Sequence, residues 1–83
     1  MRMNNKKIRE RIKNRQYENI SFDDVCRFVQ SLGFIIDKQD GTSHRQYHNV
    51  DLGIKLNLQK TKDGKAKGYQ MRQIRDIIKK YNL

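Results

Sequence analysis

The chain has 83 residues, a formal net charge of +10 and only 35% hydrophobic residues. That length holds one small domain with a modest core, and no apolar run approaches the roughly 20 residues that span a bilayer. The single cysteine, Cys26, excludes an internal disulfide and a cysteine-rich zinc site, and suits a reducing cytoplasm.

The opening stretch MRMNNKK lacks the apolar segment of a secretory signal. Residues 4–15 read as a short polar helix whose Ile8 and Ile12, one turn apart, can anchor it to a body. Residues 15–19 read as a connection. The expected division is a helical extension over residues 1–19 and a domain over residues 20–83.

The next helix carries strong local signals. Ser21 is an N-cap residue and Asp24 stands where a capping box places its acidic partner. Ile20 and Val25 can form a hydrophobic staple across that cap. Phe22, Val25, Cys26, Val29 and Leu32 recur at helical spacing, and Gly33 supplies a stop. Cys26 on that stripe reads as a small buried hydrophobe.

Residues 34–38 read as a short strand, Asp40-Gly41 as a turn and residues 42–48 as a second strand. Residues 49–53 form the next turn. The alternation in GIKLNL over residues 53–58 marks a strand buried on one face. Residues 60–68 form a basic loop, and residues 69–81 a final helix with Met71, Ile74, Ile77, Ile78 and Tyr81 on one side. The order is α-β-β-β-α with an extra leading helix, an α+β fold whose three antiparallel strands are covered on one face by two helices.

Tyr47 is the one bulky side chain of the second strand and should point at the helices. Ser43 and Arg45 share its parity, while Thr42, His44, Gln46 and His48 point to the open face. The basic charge favours a polyanionic partner. The leading helix has too narrow an apolar face for a membrane-surface role, so nucleic acid is the better fit. Lys60, Lys62, Lys65 and Lys67 crowd one loop, and Arg72 and Arg75 lie off the apolar stripe of the last helix; both sets are candidate phosphate contacts. A histidine on an open sheet face can act as acid or base on a ribose hydroxyl without a metal, or can be a surface residue; its position alone leaves both open.

The segments SFDDVCRFVQSLGF, GTSH followed by Tyr47, LNLQ and GKAKGYQMRQIRDII resemble, in that order and spacing, the HicA toxin family of mRNA interferases. The resemblance runs from about Ser21 to the C-terminus, and the leading segment resembles a branch of the family with an added helix. It implies a double-stranded-RNA-binding-like fold and an endoribonuclease that cleaves mRNA and arrests growth. It further implies His44 as the catalytic residue, with no cofactor or metal, and a HicB-like antitoxin covering the site. Ser43, Arg45 and the four loop lysines are the candidate RNA-binding residues. Many members carry a Pro-x-His element after the third strand, where this chain has LNLQKTKDG. The second catalytic group is thus open between His48, Gln59 and a lysine. A non-catalytic RNA-binding module and an adaptor for an acidic partner are the competing functions.

Overall fold

The computed structural model describes residues 2–41 and 43–83. Its elements run α1 (Asn5–Lys13), α2 (Phe22–Ser31), β1 (Ile35–Asp40), β2 (His44–Asn49), β3 (Ile54–Gln59) and α3 (Gly68–Tyr81). The fold is therefore α+β, with one antiparallel sheet ordered β1-β2-β3. Thr42, expected at the start of the second strand, lies outside the described residues. Among the described residues no helix is long and apolar enough to cross a membrane.

The sheet buries one face. In β2 Tyr47 is fully buried, and opposite it in β3 stands Leu56, which is buried as well. Leu58 adds to this layer, and α2 contributes Phe22, Val25, Cys26, Phe28 and Val29. From α3 come Met71 and Ile74. Leu32 and Ile78, expected inside, pack against this core only partly buried.

Three helices share the covered side. Ile8 and Ile12 of α1 are both buried and belong to the same core cluster as Phe28 and Leu56. α1 packs against α2 and α3 together. The expected extension thus shares its core with the rest of the chain. Its N-terminal lead is fastened to α2: the Met3 N–H donates to the Asp24 carboxylate at 3.0 Å, and Arg27 donates to both that carboxylate and the Met3 carbonyl.

That clamp changes the reading of the α2 start. Ser21 is the N-cap residue, yet its side chain makes no capping hydrogen bond. Asp24 turns to Met3 and Arg27 instead of closing a capping box. Burial opposes its ionisation, but the Arg27 and Met3 hydrogen bonds win and hold its carboxyl below the usual value.

At the other end of α2, Gly33 has a φ of +96° and a Cβ there would meet the Asn49 amide nitrogen at 3.0 Å. Both the backbone conformation and the close approach therefore require glycine. Asn49 is buried and uses that amide to donate to the Leu32 carbonyl, while its oxygen accepts the Leu52 N–H. One side chain thus joins the end of α2 to the β2–β3 turn.

Candidate nucleic-acid interface

The uncovered sheet face follows from strand parity. Tyr47 and Asn49 point into the helices, so His44, Gln46 and His48 point away from them. Lys55, Asn57 and Gln59 are their register partners in β3 and lie on the same face. His44 itself is exposed. A shallow depression of about 190 Å³ beside it is lined by Lys38, Arg45, Gln46, Asn57 and Leu58 as well.

Across β3, His44 stands opposite Gln59. The Lys60 N–H donates to the Ser43 carbonyl at 2.9 Å, so the adjacent pair His44–Gln59 is a non-hydrogen-bonded one. In such pairs the side chains stand closest, with Cβ atoms about 4.5–5.5 Å apart. The N–H of Gln59 then points to the free edge of β3, where it donates to the Gln70 side-chain oxygen at 3.0 Å.

His48 is remote from that pair. Four residues along a strand separate the two histidines by about 13 Å. The two rings therefore do not meet at one point of the sheet face. It is half-buried, with Nδ1 3.8 Å from the Asp37 carboxylate. Asp37 is the extra residue of a β-bulge: Ile36 pairs with Tyr47 and Lys38 with Gln46, leaving Asp37 unpaired. β1 runs on to Asp40, beyond the end expected at residue 38, because pairing with β2 continues through Asp40 opposite His44.

The lysine loop is folded and attached to the His44 end of the sheet. Lys60 bridges to Ala66, and Lys65 to Ser21. Within the loop the Thr61 N–H donates to the Lys65 carbonyl at 2.9 Å, and the Lys65 N–H returns to the Thr61 hydroxyl at 3.0 Å. Lys62 and Lys65 are exposed, whereas Lys60 and Lys67 are half-buried. Lys67 is the N-cap residue of α3, with its ammonium 6.0 Å from the Tyr69 ring centre.

Two arginines have other partners. Arg45 has the covered-face parity: its guanidinium lies 5.2 Å over the Phe22 ring and 3.7 Å from the Asp23 carboxylate, and the residue also lines the depression beside His44. Arg75 lines a groove of about 390 Å³ between α1 and α3, with Arg9, Lys13 and Lys79 around Ile12 and Ile78. Arg72 is exposed on the same helix.

Beneath the sheet, buried Tyr47 and Cys26 lie beside the half-buried Arg45. Burial pushes the Cys26 thiol up, and chiefly burial raises the Tyr47 phenol to about 12. Cys26 is therefore a structural thiol, as its place on the α2 stripe suggests.

Sequence reasoning left out Gln70 and Tyr69. Gln70 is buried and polar in a helix otherwise read by its apolar stripe, so periodicity gives no signal for it. Tyr69 is 61% exposed at the start of α3, and nothing in its spacing marks it out.

Together these features define a small α+β domain with one helix-covered sheet face and one uncovered polar face edged by lysines. No family model, curated protein or solved structure matches this chain.

Proposed function

We propose that this chain is a metal-independent endoribonuclease of the HicA toxin type, cleaving mRNA and arresting growth. Its support is one observation: His44 is exposed on the uncovered sheet face at the end of the sheet where the lysine loop is tied to Ser43. The α-β-β-β-α order with its added α1 is compatible with the double-stranded-RNA-binding-like fold that the sequence resemblance implies.

In this mechanism the phosphate of the scissile bond is held by Lys62 and Lys65, the exposed cations of the loop. The His44 imidazole removes the proton from the ribose 2′-hydroxyl; the resulting oxygen attacks the adjacent phosphorus as the bond to the 5′-oxygen breaks, and the departing oxygen takes a proton from water, leaving a 2′,3′-cyclic phosphate. The loop ammonium groups offset the negative charge that builds on the phosphoryl oxygens. Gln59, directly across from His44, orients the imidazole or the attacking hydroxyl through its amide. A HicB-like antitoxin would silence the toxin by covering this face.

The test is RNA degradation by the purified protein in the presence of a chelator, compared with a folded His44→Gln variant. Cleavage by the parent and none by the variant is expected. Cleavage retained by a folded His44→Gln variant would remove His44 as the catalytic residue, and no cleavage by the parent would leave RNA binding alone.

A further inference from the structure

We infer, on the ribonuclease reading above, that Tyr69 is a stacking platform for an unpaired base beside the scissile phosphate, so that the site takes single-stranded RNA. A single exposed aromatic residue would mean nothing by itself. Its placement carries the weight. Tyr69 opens α3 and is 61% exposed, whereas Tyr47 is fully buried and Tyr17 packs against the core.

The ring is positioned relative to His44 through Gln70. That side chain is only 4% exposed, and its oxygen accepts the Gln59 N–H at 3.0 Å. Gln59 is the register partner of His44. The amide nitrogen of Gln70 lies 3.5 Å from the Tyr69 hydroxyl. The first turn of α3 is thus pinned along the free edge of β3, one strand away from His44. That turn therefore lies one strand spacing, about 4.8 Å, and one side-chain hydrogen bond away from the His44 strand, within reach of a short run of nucleotides.

Cations precede the ring along the chain. Lys67 stands 6.0 Å from the ring centre, and the exposed Lys62 and Lys65 belong to the loop leading to it. An aromatic face flanked by cations that track a backbone is how single strands are held without reading sequence. A duplex keeps its bases stacked on one another and offers no free face to such a ring.

The test uses fluorescence anisotropy of a labelled RNA oligonucleotide without self-complementarity, and of the same strand annealed to its complement. The protein carries His44→Gln so that the probe stays intact. Tyr69→Ala should weaken single-strand binding by about 5- to 150-fold, the range that losing one stacked base gives. Tyr69→Phe should retain it, and the salt slope should stay unchanged because no phosphate contact is lost. Full affinity in Tyr69→Ala, or tighter binding of the duplex than of the single strand, would overturn the platform and leave the ribonuclease reading standing. Absence of RNA binding by the parent protein would overturn both.

Discussion

The Lys60 N–H donates to the Ser43 carbonyl at 2.9 Å, which joins the lysine loop to the residue before His44. Cations and imidazole are thereby held at one end of the sheet by backbone geometry rather than by flexible side chains. If the loop grips phosphates, Lys62→Ala with Lys65→Ala should weaken RNA binding. Each lost phosphate contact removes about 0.7 from the slope of log K against log salt for a single strand, so the pair should remove about 1.4. The loop backbone should survive, because its bonds run through Thr61 and main-chain groups. Anisotropy titrations at several salt concentrations measure this, and an unchanged slope would exclude the loop from the interface.

A second expectation concerns α1. Ile12 is 1% exposed and sits in the same core cluster as Leu56, which is also 1% exposed. Ile12→Ala and Leu56→Ala should each cost on the order of 2–5 kcal/mol, as buried large-to-small changes do. A detachable leading helix would make Ile12→Ala nearly silent while Leu56→Ala remained costly. Urea unfolding of the two variants side by side separates the cases.

The Tyr47 phenol gives an alkaline prediction. An unfolded tyrosine ionises near pH 10, whereas burial holds this one to about 12. Its neutral form is favoured by folding, so the associated stability is fully present below pH 10 and is lost as pH rises from 10 to 12. The loss is on the order of 2 kcal/mol. Tyr47→Phe should lack this component, and the difference between the two unfolding free energies should shrink steadily across that interval. Parallel pH curves for parent and variant would contradict the burial of the hydroxyl.

Much of this architecture is legible in local pattern. Ile8 and Ile12 announce an anchored helix, and the 53–58 alternation announces a strand with one buried face. The side of the sheet that carries His44 follows from the single bulky residue Tyr47. What escapes the sequence is long-range. The bulge at Asp37 has no residue signature, since it arises from how the β1–β2 hairpin settles its register. Asp24 has the spacing of a capping residue, but a partner 21 positions away takes its carboxylate. Gln70 looks like one more polar helix residue until its oxygen is seen on the Gln59 N–H of the neighbouring strand.

The last expectation separates His44 from the groups left open to assist it, His48, Gln59 and a loop lysine. His44→Gln should lower single-turnover cleavage by at least the 10²- to 10⁴-fold that a general base contributes, without moving the melting temperature, because the side chain is exposed and fills no core volume. His48→Ala should leave substantial activity. It stands about 13 Å along the strand from His44, and its near neighbour is Asp37 rather than the site. Gln59→Ala should fall between them, by about tenfold, the loss of one hydrogen bond of roughly 1.4 kcal/mol in the transition state. Its backbone N–H keeps the bond to Gln70, so the β3 edge and the fold remain intact. Growth arrest on expression of each variant alone should follow the same order, with His44→Gln harmless and His48→Ala toxic. A His48→Ala protein as inactive as His44→Gln would mean that the RNA spans both histidines and that the site is longer than a single phosphate. A fully active Gln59→Ala would return the second catalytic group to the loop lysines.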